Sequence, residues 1–473
     1  MPPEAELLSR SSSRGRLTLA TVTLGSGIAL LDGTVVNVAV RRIGIELDAT
    51  LADLQWVVNG YMLSLASLIL VGGSLGDRLG RRKMYLLGVA GFAGGSLLCA
   101  FAQDPVQLIV FRVLQGVAAA LLVPGGLAII ESSFRRADRA AAIGTWAGMS
   151  GIAAALGPFL GGFLLAHGGW RWIFAINLPL CLLVLVLGVR MPETRSPETR
   201  QRFDYTGAVM GVLALGALTF ALTSLHTVSP EVLWSAAAVA VAATVAFVRL
   251  ERRPGAMVPL GLFGSPVFTA ANLMSFLVYG ALSTMLFLLV LQLQVSVGYS
   301  PLEAGLSALP ITVTMLLLSS RFAVLAQRTG PRLPMTLGPL VCAGGVTLLS
   351  FVDAGTTYLT GVLPGMALFA LGLAGLVSPL TAAVLAAAPD EHAGVASGVN
   401  NAVARAGSLL AVAALPALVG LSGDDYRLPG PLTAGFHAGL LVCAALLAAG
   451  GVVSWFGLRP SLLPEQLASG RDG

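Results

Sequence analysis

Long uncharged, apolar runs alternate with short polar clusters from residue 17 to residue 456. A helix crossing a bilayer needs about 20 predominantly apolar residues, and fourteen runs in the chain meet that length. Six lie at 17–40, 54–76, 84–102, 106–130, 139–166 and 170–189. Two more follow at 205–225 and 231–249, and the last six lie at 267–293, 302–321, 333–352, 357–385, 395–420 and 433–456. The pattern predicts an all-α membrane protein of fourteen spans. Its parts are a polar tail at 1–16, a six-helix bundle at 17–190, a linker with two extra helices at 191–266, a second six-helix bundle at 267–456 and a tail at 457–473.

Composition agrees with this reading. Hydrophobic residues make up 56% of the 473 and charged ones 11%, against roughly 25% charged in ordinary soluble domains. No water-facing surface of normal size can be built from that. The four cysteines, Cys99, Cys181, Cys342 and Cys443, all fall inside apolar runs with no CxxC pair, and read as small buried hydrophobes. The first apolar run is too long for a signal peptide and has no clear cleavage site, so it is retained as helix 1.

Charge sets the orientation. The formal charge of +5 could suggest nucleic acid, but the basic residues stand in short clusters between apolar runs rather than in a binding stripe. With the N-terminus in the cytoplasm, 22 of the 28 basic residues fall in cytoplasmic segments. Three fall outside (Arg41, Arg42 and Arg427) and three within or beside helices (Arg112, Arg171 and Arg405). The positive-inside rule therefore places both termini in the cytoplasm. Lys83 is the only lysine, and Ala, Gly and Leu abound, as in a GC-rich bacterial genome; the cytoplasmic membrane of a bacterium is the expected location.

An internal repeat emerges at an offset of about 250 residues. The segment Gly76 to Arg82 parallels Ala326 to Arg332, and Asp138-Arg139-Ala140 with Gly144 parallels Glu391-His392-Ala393 with Gly398. Two parallel repeats with a site at their interface are transporter architecture.

Within this apolar frame a few residues carry chemistry. Asp32 sits about eight residues from the outer end of helix 1, so roughly 12 Å below that surface. Burial of an acid costs several kcal/mol and should raise its pKa unless a cation or water compensates. Arg112, about seven residues into helix 4 from the same side, lies roughly 10 Å deep, so the two depths nearly coincide. If helices 1 and 4 are neighbours, the pair could exchange protons near neutrality. A permanent structural ion pair is the competing reading.

The loop from Gly73 through Asp77, Arg78, Gly80, Arg81 and Arg82 to Lys83 has dense charge and spaced glycines, which predicts a cytoplasmic latch. Asp77 could accept from a helix N-terminus or from a neighbouring arginine. Helix 5 carries Gly144, then Gly157, Pro158, Gly161 and Gly162. Small residues let backbones touch and a proline favours a bend, so a gating contact is expected there. Arg405, near the middle of helix 13, suggests a cavity or internal pairing. Glu303 and Asp353 lie near outer helix ends and are expected to be solvated. No metal-ligand spacing, P-loop, HExxH or GxSxG is present.

At these residues the sequence resembles the fourteen-helix drug:proton antiporters of the major facilitator superfamily, over nearly its whole length. Leu31-Asp32-Gly-Thr34-Val-Val-Asn37-Val-Ala39 looks like the family's helix 1 motif, and Gly73 to Lys83 matches its loop between helices 2 and 3. Arg112-Val-Leu-Gln115-Gly116 is similar to its helix 4 motif. Gly144 with Gly157-Pro158 and Gly161-Gly162 looks like the helix 5 antiporter motif. Gln55-Trp56 with Tyr61, Gly169 to Phe174 with Asn177 and Pro179, and Ser300-Pro301 through Ala304-Gly305 to Leu309-Pro310 mark the fourteen-helix branch. In length and layout the chain is similar to actinobacterial antibiotic exporters.

The resemblance implies a major facilitator fold, with helices 1 and 4 as neighbours. It implies proton coupling at Asp32 and Arg112, closure controlled by the Asp77 loop, and a helix 5 that packs against the opposite bundle. Three positions depart from the family pattern. Arg41 replaces a proline at the end of the helix 1 motif, Ala153 replaces a helix 5 glycine, and Gln327 replaces an acid in the second loop. Arg41 puts positive charge at the outer mouth, which disfavours cationic ligands there.

The expected function is therefore proton-driven efflux of hydrophobic or amphipathic antibiotics, conferring resistance. The expected protein is a monomer with a drug or metabolite, protons and the bilayer as partners, no nucleic acid and no cofactor. Asn37, Tyr61, Phe276, Gln292 and Arg405 are the expected substrate contacts. Alternatives are a dedicated exporter of a self-made metabolite, a proton-coupled importer, a non-transporting sensor or scaffold, and a membrane-embedded enzyme; the last lacks a nucleophile or metal constellation.

Overall fold

The computed structural model describes residues 7–195, 204–225, 227–253, 258–389 and 393–459. Fourteen of its helices are long and apolar enough to cross a membrane. The first six are α1 (Ser13–Glu46), α2 (Leu51–Leu79), α3 (Arg81–Phe101), α4 (Pro105–Ser133), α5 (Arg136–Gly168) and α6 (Arg171–Gly188). Next come α7 (Tyr205–Thr223) and α8 (Pro230–Glu251), then α9 (Pro266–Val297), α10 (Pro301–Thr329), α11 (Arg332–Leu349), α12 (Tyr358–Ala386), α13 (Val395–Leu418) and α14 (Pro429–Gly457). They follow the fourteen apolar runs in order.

Local signals explain where the helices begin. Proline stands in the first turn of α4, α8, α9, α10 and α14, where its missing N–H costs nothing. Asp104 caps α4 by accepting from Gln107 N at 2.8 Å. Ser300 and Glu303 form a reciprocal capping box at the start of α10. Glu303 caps the helix while remaining exposed. Asp353 likewise has a neighbour, the His437 Nε2 at 3.1 Å.

α1 runs further than the apolar pattern predicts, from Ser13 to Glu46 instead of 17–40. Arg41 and Arg42 lie within this continuous helix. Glu46 in the last turn pairs with Arg42 at 2.5 Å and accepts from Trp170 Nε1 at 2.8 Å, with Arg171 at 3.4 Å. These contacts hold the extension in place.

The chain divides into two units, one of Met1–Ala49 with Trp56–Val212, the other of Thr50–Gln55 with Leu213–Gly473. In the first, α1 lies against α4, α5 and α6, and α3 against α4 and α6. α2 meets α4 through glycine: a Cβ on Gly116 would stand 2.4 Å from the Tyr61 carbonyl oxygen. In the second unit α9 lies against α12, α13 and α14, α11 against α12 and α14, and α10 against α12. Adding eight to each helix number in the first unit reproduces these pairings. The turns repeat as well, since Gly80 before α3 has φ +116° and Gly330 before α11 has φ +76°. The second pair of matched segments includes Glu391 and His392, which lie outside the described residues.

Apolar side chains cover the outer surfaces. Leu87, Trp234, Leu317 and Phe351 are all more than half exposed, and α10 has no buried residue in its most apolar stretch. Such a surface requires hydrocarbon rather than water around it.

Candidate functional site

The embedded acid and the embedded arginine meet inside the first unit. Arg112 Nη1 of α4 donates to Asp32 Oδ2 of α1 at 2.5 Å, and the two side chains are 1% and 0% exposed. Both depths, estimated from helix rise, had placed them at one level. The α1–α4 packing supplies the proximity that depth alone could not.

Other helices complete the shell around the carboxylate. Asp32 Oδ1 accepts from Gln115 Nε2 of α4 at 3.0 Å and from Asn177 Nδ2 of α6 at 2.8 Å. Ser96 Oγ of α3 accepts from the same two amides, at 2.8 Å from Gln115 and 3.2 Å from Asn177. Arg112 is also held by Gln115 Oε1 at 2.6 Å and, through Nε, by the Val57 carbonyl of α2 at 3.1 Å. Its guanidinium carbon lies 4.4 Å from the centre of the Tyr61 ring and 5.7 Å from that of Phe174. Five helices therefore converge on one charge pair, a satisfied network of the kind a low-dielectric interior demands.

Gln115 and Asn177 stand in the quoted motifs, yet neither was assigned to the site from sequence, and Ser96 was not singled out. Gln115 was accessible to reasoning, because it follows Arg112 by three residues and so shares its helix face. Asn177 and Ser96 are polar residues in apolar runs, and only the packing of α3 and α6 shows where they point.

The expected substrate contacts are scattered. Tyr61 is 1% exposed and stacked under Arg112, with its hydroxyl donating to the Ala29 carbonyl at 3.1 Å. Gln292 is buried at the end of α9, where its amide nitrogen donates to Val352 O and Thr433 Oγ1, both at 3.0 Å. Its amide oxygen accepts from Ser296 at 3.0 Å. Both residues make internal hydrogen bonds in this structure. Asn37 on α1, Phe276 on α9 and Arg405 on α13 are half-buried.

The loop between α2 and α3 takes a definite shape. Asp77 pairs with Arg81, Nε at 2.8 Å and Nη2 at 2.7 Å, and Arg81 Nη1 reaches the Ala128 carbonyl of α4 at 3.2 Å. The α3 N-terminus is capped from elsewhere: Glu193, beyond α6, accepts from Arg82 N at 3.0 Å and Lys83 N at 3.1 Å. A carboxylate there also satisfies the helix dipole. Glu193 lies so near Gly80 that a Cβ would stand 2.8 Å from it, and the φ of +116° independently favours glycine. Gly73 has room, with Pro124 Cβ 3.7 Å from a notional methyl, and Arg78 is half-buried.

On α5 the glycines behave differently from one another. A Cβ on Gly157 would lie 2.0 Å from Thr34 Oγ1, and one on Gly161 would lie 2.7 Å from Val35 Cγ2, whereas Gly144 has nothing within 4 Å. Pro158 is half-buried inside the helix and Gly162 is buried. The close approaches that Gly157 and Gly161 permit are to α1 of the same unit, beside Asp32. Ala153 is matched by Gly27 of α1, whose notional Cβ would stand 3.1 Å from the Ala153 methyl.

Duplicated six-helix units with an embedded ion pair define a multi-pass membrane protein of the secondary-transporter class. The chain belongs to the Major Facilitator Superfamily, whose family model matches residues 22–412 and 273–471. It is 35% identical over 423 residues to the tetracenomycin C resistance and export protein of Streptomyces glaucescens, covering 86% of this chain and 77% of that protein. It is 34% identical over 417 residues to the methylenomycin A resistance protein of Streptomyces coelicolor, covering 86% of each. The multidrug resistance protein Stp of Mycobacterium tuberculosis is 35% identical over 409 residues, 84% of this chain and 75% of that one. A bacterial homologue of the human lysosomal transporter Spinster shares the fold, with a TM-score of 0.68 at 17% identity over 98% of this chain and 99% of that one.

Proposed function

We propose that this protein exports hydrophobic or amphipathic antibiotics, or related small molecules, across a bacterial cytoplasmic membrane in exchange for protons. The observation that carries the reading is the Asp32–Arg112 pair, buried among α1, α2, α3, α4 and α6. The resistance and export proteins to which the chain is similar supply the direction of transport and the class of cargo.

With Asp32 ionised, its two oxygens accept from Arg112, Gln115 and Asn177 and tie α1 to α4 and α6. A proton on Asp32 cancels the charge that neutralises Arg112 and takes up one acceptor position. An arginine left buried without its counter-charge costs several kcal/mol, so the protonated protein favours a different packing of α1 against α4. That is the coupling step. Gly157 and Gly161, which lie against Thr34 and Val35, pass a shift of α1 to α5. Protonation from outside accompanies release of cargo, and on the cytoplasmic side proton and cargo exclude one another. No cofactor takes part, the working unit is a monomer, and both termini are cytoplasmic.

Purified protein in liposomes with an imposed pH gradient tests this. Drug movement against its gradient, with matching proton movement that Asp32→Asn abolishes, is the expected result. Full proton-coupled transport by Asp32→Asn would overturn the reading.

A further inference from the structure

Asp32 Oδ1 accepts from two side-chain amides, and the two are held differently. Gln115 Nε2 donates to it at 3.0 Å while Gln115 Oε1 takes Arg112 Nη1 at 2.6 Å. Turning that amide over would set its NH2 group against the guanidinium, so Gln115 is locked as a donor. Asn177 has no such lock. Its Nδ2 donates to Asp32 Oδ1 at 2.8 Å and to Ser96 Oγ at 3.2 Å. Its own Oδ1, on a residue that is 0% exposed, has no partner among the described residues. Ser96 Oγ accepts from both amides.

A proton on Asp32 gives that empty acceptor a use. Oδ2 faces Arg112 Nη1 at 2.5 Å, so a proton arriving from the outer aqueous side adds to Oδ1. One O–H bond forms, the carboxyl becomes neutral and Arg112 keeps its charge. The new hydrogen then meets the N–H of Asn177, donor against donor. A half-turn of the Asn177 amide about its Cβ–Cγ bond exchanges nitrogen and oxygen with almost no change of shape. Asn177 Oδ1 now accepts from the Asp32 hydroxyl, and the Ser96 hydroxyl can turn to the same oxygen. Because the far end of the amide is bonded to nothing, the charge on Asp32 decides which end faces it.

We propose that Asn177 reads the proton on Asp32: it donates to the carboxylate and, after its amide turns over, accepts from the carboxylic acid. α6 then stays bonded to α1 in both charge states, and only the tie to Arg112 of α4 weakens. The inference rests on the proton-coupling reading of the Asp32–Arg112 pair, and it makes Asn177 a positioning residue for that step.

Infrared difference spectra of the protein in lipid films, stepped between pH values at which it stays folded, test this. The Asp32 carboxylic acid band is the one that Asp32→Asn removes, and its growth as pH falls measures proton affinity. In Asn177→Leu the acid band should move to higher wavenumber, because its O–H has lost an acceptor. Proton affinity should change by less than about threefold, because the lost bonds served both charge states. Asn177→Ala, which needs less room, should repeat both results, and thermal unfolding confirms that each variant is folded. A residue that only donates would favour the carboxylate alone, and its loss would raise proton affinity about tenfold or more. That result would overturn the proposal, as would an acid band that does not move; either leaves antiport standing. A wild type with no Asp32 acid band at any pH would sink the antiport reading and this one together.

Discussion

Gly157 of α5 approaches Thr34 of α1 so closely that a methyl group on the glycine would stand 2.0 Å from the threonine hydroxyl oxygen. Thr34 is two residues from Asp32, and its hydroxyl donates to the Leu31 carbonyl at 2.9 Å. Gly157→Leu should therefore force α5 away from α1 beside the ion pair, lowering the unfolding temperature and cutting transport at least tenfold. Gly144→Ala, which meets nothing within 4 Å, should change neither. Thermal unfolding in detergent and flux in liposomes check both.

The ion pair predicts a non-additive mutant cycle. Arg112→Gln leaves a buried carboxylate without its cation and should destabilise the protein by about 3–5 kcal/mol. Adding Asp32→Asn removes the stranded charge, so the double variant should be more stable than Arg112→Gln alone while remaining uncoupled from protons. Unfolding temperatures of the two single variants and the double variant measure this directly; additive losses would count against a mutual pairing.

Asn177 anchors α6 to the same carboxylate at 2.8 Å. Asn177→Leu keeps the side-chain bulk but withdraws one of the three groups that donate to Asp32, and it should slow proton-coupled flux several-fold at a fixed gradient. Ser96→Ala, which removes an acceptor one bond further out, should have a smaller effect on the same assay.

Glu193 caps α3 from a point 110 residues downstream of Lys83. Glu193→Ala should cost about 1 kcal/mol, the usual worth of a helix N-cap, and loosen the Asp77–Arg81 turn. Faster protease cleavage near Lys83 in inverted vesicles, compared with wild type, would report the loosening.

All four native cysteines are buried, so a membrane-impermeant maleimide should leave the wild-type protein in intact cells unlabelled. A cysteine at Asp424, in the connection between α13 and α14, should label from outside the cell, and one at Ser11 only after the membrane is opened. The reverse pattern would invert the topology.

Much of this organisation was readable before any coordinates. Fourteen runs of apolar residues can only be satisfied by helices in lipid, because a backbone there must bond to itself. The clusters at Arg10, Arg81 and Arg135 bear on which side those helices start from, since cationic side chains resist transfer across a membrane. Asp32 and Arg112 stood out for the same reason, as charges in segments that otherwise have none. Helical rise is fixed, so even their common depth followed from counting. What a one-dimensional pattern leaves open is azimuth and partner. That Tyr61 lies under Arg112, that Gly157 meets Thr34 of α1, and that Asn177 reaches Asp32 with Ser96 behind it all depend on which helix faces pack together. Close packing among residues as far apart as Asp32 and Asn177 decides that, and only the tertiary structure contains it.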